Sequence, residues 1–239
     1  MKNRSQISDI LDIIEGFIRR NKFDEAAEFA SQLRNDVYIP TEYLERYENA
    51  IKLIKSGIEN NKLEKDLAKR SKNNLLTHLV DGDRLDINKV LYLFDKYTNE
   101  ITVDDAKYFN KVLGDETISN YSKVLLANEL ISIKYNANLK FYNNHMKRLW
   151  EFNPTTIESH YYDILTDLLK QKTMRKPYIY EGIKQIVDSI RAYFFPSHPD
   201  YDSYDLAIKI IEYINCAYRH KKSPSPFYEF ITNILHGVD

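Results

Sequence analysis

Apolar residues recur at helical spacing along most of this chain. Ile7, Ile10, Leu11, Ile14, Phe17 and Ile18 stand three and four apart, which predicts one face of a helix with Ser8 placed to cap it. "RRNK" interrupts that face. Ala26, Ala27, Ala30 and Leu33 then line a second helix, with Phe23 at its entrance. Small side chains let two helix axes approach closely, and the short connection makes the pair antiparallel. Beyond Tyr38-Ile39-Pro40, Thr41 is a candidate N-cap. Leu44, Tyr47, Ile51, Ile54 and Ile58 predict a third helix that covers the first two. Residues 59–74, "ENNKLEKDLAKRSKNN", are strongly charged and read as a helical linker. The expected organisation is therefore a unit over 1–58, a linker over 59–74 and a larger helical domain over 75–239.

In the larger domain "DGDRLD" reads as a turn, followed by a face of Ile87, Val90, Leu91, Phe94 and Tyr97. Thr102 is placed to cap a helix through Ala106, Phe109 and Leu113 that Gly114 ends. "SNYSKVLLANELISIKY" is apolar nearly all round, as expected of a central buried helix. The period then changes from helical to alternating over 138–152, around Leu139, Phe141, Trp150 and Phe152, which predicts a small β-hairpin. Asn143-Asn144 supplies residues suited to the positive φ angles of a tight turn. Helical faces resume after Pro154 (Ile157, Tyr161, Ile164, Leu165, Leu168) and after Pro177 (Ile179, Ile183, Ile186, Ile190, Phe194). Two more follow, after Ser203 (Leu206, Ile210, Ile214) and around Phe227, Ile231 and Ile234. The fold class is mainly α: an irregular multi-helix array with one small β-hairpin.

Composition fits this picture. Only 6 glycines and 7 prolines occur in 239 residues, so there are few helix breakers. A net charge of −1 is no footprint for bulk nucleic-acid binding. The single cysteine, Cys216, excludes an intramolecular disulfide and suits a reducing, cytoplasmic setting. No run of about 18 apolar residues predicts a membrane span.

Candidate chemistry changes little. The few glycines form neither phosphate-cradling motif. "DGDRLDINKVLY" begins like a calcium loop but places Asp86 where Gly is needed and Tyr92 where Glu is needed. Cys216 and His220 share a helical face without the further ligands zinc requires. No cofactor, metal or catalytic constellation is expected. "HMKRLW" and "AYRHKK" are basic segments whose Arg148, Trp150, Arg219 and Lys221 suit RNA phosphates and base stacking.

"NKFDEAAEFASQL", residues 21–33, resembles a tetratricopeptide repeat: Ile13, Phe17, Phe23 and Ala26 stand in its anchor positions. Ile14 and Ala30 depart from the pattern, and Pro40 comes two residues late. No second copy follows, so a full repeat array is not expected. "KFDEAAEFASQLRNDVYIPTEYLERYENAIK" is similar to the N-terminal part of a bacterial family of helical proteins, the domain of unknown function 3196. That resemblance carries no catalytic residues. It implies a tetratricopeptide-like first unit in a cytoplasmic bacterial protein. The functional expectation is a non-enzymatic protein-interaction module taking a protein or peptide. Phe17, Phe23, Tyr43 and Tyr47 would line a groove between the first and third helices. An RNA- or ribosome-associated factor is the alternative and an enzyme of unrecognised type the third; self-association is a further option. The 19 tyrosines suit contact surfaces, being apolar with a hydroxyl at the tip.

Overall fold

A computed structural model describes residues 4–36, 39–82, 84–157, 160–174, 177–218 and 226–237. The chain divides into two compact units, Met1–Ser71 and Lys72–Asp239. The first contains α1 (Arg4–Arg19), α2 (Phe23–Asp36) and α3 (Thr41–Ala68). Ile7, Leu11 and Ile14 of α1, Ala26, Ala30 and Leu33 of α2, and Tyr47, Ala50 and Ile54 of α3 form its core. Asn21 ends α1 in the left-handed region, φ 56°, a conformation that asparagine tolerates better than most residues. The amides of Asn21 and Lys22 then bond the carbonyls of Ile18 and Phe17, which closes the helix end in a Schellman arrangement. This is the physical content of the "RRNK" interruption.

Two local expectations change. Ser8 lies inside α1 rather than at its start, because the helix already runs from Arg4. The N-cap of α3 is Pro40, which offers no side-chain cap, and Thr41 is the first helical residue. The charged stretch after Ile58 carries α3 onward to Ala68, with no break at Glu59. Its charges are compatible with a solvated face, and Leu67 is buried.

Gly57 is the close-packing point of this unit. A Cβ built there meets the Phe23 ring at 2.3 Å. We expect Gly57→Ala to destabilise the protein by about 1–3 kcal/mol, the usual cost of overpacking, despite the gain in helix propensity. Urea unfolding checks this. Phe23→Leu in the same chain should recover part of the loss, and a more stable Gly57→Ala protein would contradict the packing assignment.

The second unit begins with α4 (Lys72–Thr77) and a minimal ribbon, β1 (Val80–Asp81) against β2 (Arg84–Leu85). It continues through α5 (Ile87–Tyr97), α6 (Ala106–Leu113) and α7 (Asn120–Ser132). A 3-10 turn over Val103–Asp105 precedes α6, where Thr102 and Asp105 form a capping box. Gly114 caps the end of α6. The predicted hairpin is present as β3 (Leu139–Asn143) antiparallel to β4 (Arg148–Phe152), with Leu139 opposite Phe152, Phe141 opposite Trp150 and Asn143 opposite Arg148. The turn differs from the expected one. Four residues, 144–147, connect the strands and the positive φ belongs to Lys147. Asn143 acts through its side chain instead, accepting from the amides of His145 and Met146, an Asx turn.

The unit closes with α8 (His160–Thr173), α9 (Pro177–Phe194), α10 (Ser203–Tyr218) and α11 (Pro226–Gly237). These four share one core, including Tyr162, Leu165, Leu169, Ile183, Ile190, Ile210 and Ile231. The inward face of α8 is rotated from the expected one. Tyr162 and Leu169 are buried, while Ile164 is 39% exposed and Ile157 precedes the helix. Both sets satisfy a three-four spacing, and only packing against α9 and α10 selects between them. Among the described residues no helix is long and apolar enough to cross a membrane.

Candidate functional site

Two polar residues stand out in α7. On a helix with apolar residues nearly all round, Asn120 and Lys123 are buried, at 3% and 0% exposure. A buried amide or ammonium is stable only with partners, and both have them. Lys123 Nζ donates to Tyr142 O at 2.7 Å and to Asn144 Oδ1 at 2.9 Å. Asn120 Nδ2 donates to Asn143 Oδ1 and Ala192 O, and its Oδ1 accepts from the amide of Asn144. Asn143 Nδ2 completes the set by donating to Tyr193 O at 2.9 Å and Phe195 O at 3.0 Å. Burial pushes the Lys123 ammonium down to about 8, with the nearby Asp115 and Glu116 carboxylates acting the other way.

This polar clamp ties three elements together: α7, the hairpin and the end of α9. Phe141, Phe152 and Phe195 pack beside it, with ring centroids 4.8–6.4 Å apart. His145 stacks on Tyr193 at 5.0 Å, and burial lowers its affinity for a proton. The clamp thereby sets the position of the chain from Arg191 onward.

That segment forms a cleft of about 260 Å³ with the start of α8. Its walls are Thr156, Ile157, Tyr162, Arg191, Phe195, Pro196, Ser197 and His198. Arg191 stands over the Tyr162 ring, 5.4 Å from its centroid. Its Nε is buried and has no hydrogen-bond partner, and the Tyr162 hydroxyl is in the same state. Among the described residues Arg191 forms no ion pair. Burial lowers the Arg191 pKa, opposed by Tyr162, Asp163 and Asp188. Burial likewise holds the Tyr162 phenol well above its ordinary value, so it keeps its proton at neutral pH. His198 stacks on Tyr161 at 4.4 Å. Its Nδ1 lies 2.9 Å from Pro199 O and, facing a carbonyl, is the donor. Ser197 Oγ donates to Phe194 O rather than to a base.

Tyr161 flanks the cleft, stacked on His198 of its wall. Tyr161 donates its hydroxyl to Tyr201 O at 2.8 Å. Ile164, Tyr201 and Tyr204 are 39%, 38% and 50% exposed, and Lys172 lies 4.6 Å from the centre of the Tyr204 ring.

The residues expected at a partner groove are placed as follows. Tyr47 is buried, and its hydroxyl donates to Ala30 O at 3.2 Å. Phe23 lies over Gly57, Phe17 packs on Phe29 at 5.3 Å, and Tyr43 is half-buried against the core of the first unit. Arg46 of α3 reaches Asp12 and Glu15 of α1, bridging the two helices between which a groove was expected. Of the basic set, Arg148 is exposed and its guanidinium stands 4.2 Å from the centre of the half-buried Trp150 ring. Arg219, Lys221 and His220 lie outside the described residues. Among the described residues no group of three or more His, Cys, Asp or Glu side chains is placed to hold a metal ion.

Neither the clamp nor the cleft is anticipated by motif. The clamp does have a signal in the sequence: Asn120 and Lys123 interrupt an otherwise apolar helix. The cleft has none, since its walls come from residues 156 to 198 on four separate segments.

A mainly α-helical protein with two small antiparallel ribbons among the described residues is thus defined. A family model described as "Protein of unknown function (DUF3196)" matches residues 2–238. The chain belongs to that family over essentially its whole length. No curated protein matches it.

Proposed function

We propose that this chain is a non-enzymatic helical module that holds another protein, with the cleft at Arg191 and the exposed side chains of Ile164, Tyr201 and Tyr204 in the same unit as contact points. The observation that carries this reading is the exposure of Ile164, Tyr201 and Tyr204, in the unit whose cleft holds a guanidinium Nε without an acceptor. Tyrosine and arginine are the side chains most enriched where binding energy concentrates. Support for a non-enzymatic role comes from the polar contacts. His78 and His198 each bond a backbone carbonyl, His145 stacks on a ring, and none of the three bonds a hydroxyl or thiol nucleophile. Lys123, the buried amine with the lowered proton affinity, is committed to the clamp.

The test is capture of the tagged full chain from the cells that make it, beside the double variant Ile164→Ser/Tyr204→Ser. One partner should be recovered in stoichiometric amount with the parent and at least tenfold less with the variant, at unchanged thermal midpoint. Equal recovery, or no partner, overturns the reading.

A second reading, contact with RNA, is favoured by the Arg148 guanidinium over Trp150 on the exposed strand β4. It predicts salt-dependent co-sedimentation with RNA, lost when Arg148, Arg219 and Lys221 are reversed to Glu. No binding at low salt removes it.

A further inference from the structure

We infer that the cleft between α8 and the end of α9 is a carboxylate-binding site, with the Arg191 guanidinium as its anchor and Tyr162 as its floor. The inference rests on the protein-binding reading above and names the chemical group that the partner brings. Its first support is an unbalanced charge. A half-buried guanidinium whose Nε is closed to water is ordinarily paired, because an uncompensated charge taken out of water is costly. Arg191 has only the face of Tyr162, at 5.4 Å, and its Nε has no acceptor at all. Asp163 and Asp188 act on it through space. The second support is the Tyr162 hydroxyl, buried in the same wall and likewise without a partner. Two orphaned polar groups in one wall are what a bound acceptor would satisfy.

Size and charge narrow the ligand. At about 260 Å³ the cleft lies below the roughly 300–1,000 Å³ of pockets that enclose whole cofactors or drug-sized molecules. It suits one acidic side chain or a chain end. A single guanidinium matches a single negative charge, and its planar fork fits the two oxygens of a carboxylate. Among the lining residues Arg191 is the sole fixed cation. A phosphate dianion would leave one charge unbalanced. Tyr161, stacked on His198 of the cleft wall, then supplies apolar contact for the residues flanking the acid.

Arg191 offers its own reporter, since the Nε–H resonance of an unbonded guanidinium moves when an acceptor arrives. The full chain, labelled with nitrogen-15, is titrated with acetyl-Ala-Glu-Ala-amide, with acetyl-Ala-Ala bearing a free C-terminal carboxylate, with acetyl-Ala-Gln-Ala-amide and with inorganic phosphate. Saturable movement of the Arg191 resonance is expected with one or both carboxylate peptides at millimolar concentration, and the responding peptide tells whether a side chain or a chain end is held. The glutamine peptide should need at least tenfold more. Arg191→Lys should weaken the response, read on the amides of Ser197 and His198, whereas Lys172→Gln should not change it. An immobile resonance, equal movement with the glutamine peptide, or stronger movement with phosphate overturns the inference. A partner captured equally well by an Arg191→Gln variant overturns it while leaving the protein-binding reading intact. Carboxylate binding without any captured partner does the reverse.

Discussion

Replacing Asn143 by Ala should lower the stability of the second unit by about 3–5 kcal/mol, the range reached when a buried hydrogen-bond network is broken. Asn143 is fully buried and makes five hydrogen bonds: two donated to Tyr193 O and Phe195 O, three accepted from Asn120 Nδ2 and the amides of His145 and Met146. Truncation deletes all five and leaves their partners behind. Each buried group left without a bond costs about 1–3 kcal/mol, and admitted water offsets part of the sum. Asn143→Asp is the sharper comparison. It keeps the shape and the three accepted bonds, but turns two donors into an anionic oxygen facing two carbonyls. It should be at least as destabilising at pH 7 and should recover as the pH falls toward the ordinary carboxylate range, where the side chain regains a proton. Urea unfolding followed at Trp150 in the hairpin measures both. A loss below about 1 kcal/mol for both variants would mean that the clamp is incidental.

The second large effect concerns pH and Lys123. Its proton affinity is lowered in the folded chain to about 8, against an ordinary 10.5. Below pH 8 both folded and unfolded chains carry the proton, and burying the charge is a constant penalty. Between about 8 and 10.5 the unfolded chain binds more protons than the folded one. Stability therefore rises with pH across that window, by about 1.4 kcal/mol per unit, or about 2 kcal/mol by pH 9.5. Lys123→Met removes this slope. The difference between parent and variant isolates it, because the tyrosines, including Tyr135 and Tyr161, raised to about 12, titrate in both. Those phenols act in the opposite sense above pH 10, so the comparison is best kept between 7 and 9.5. Parallel stability curves for the two proteins would show that Lys123 keeps an ordinary proton affinity and that its burial carries no charge penalty.

Both effects arise where the sequence is locally inconsistent. Asn120 and Lys123 sit among Val124, Leu126, Ala127 and Leu130, all buried on the same helix. Helical periodicity identifies α7 as central, and the two polar residues mark a place where partners are required. Which partners those are depends on Tyr142, Asn143, Asn144 and Ala192, up to 72 residues away. The hairpin shows the same division. Alternation of Leu139, Phe141, Trp150 and Phe152 is enough to find the strands, since side chains in a strand change face at every residue. The turn is harder, because Asn143 can serve by backbone conformation or by side chain, and here the side chain wins by binding two amides of its own turn and two carbonyls of the α9 terminus.

The sequence by itself determined what depends on near neighbours: the helices of both units, their apolar faces apart from that of α8, the strand pair and the helix stop at Asn21. These follow from periods of 3.6 and 2 and from residues that tolerate particular backbone angles. Tertiary structure alone decided the rest. Two apolar faces of α8 fit the same spacing, and packing on α9 and α10 buried Tyr162 rather than Ile164. That rotation brings Tyr162 beneath Arg191 and makes the cleft. No local pattern encodes it, because the desolvation of Arg191 exists only when residues far apart in the chain exclude water from one place.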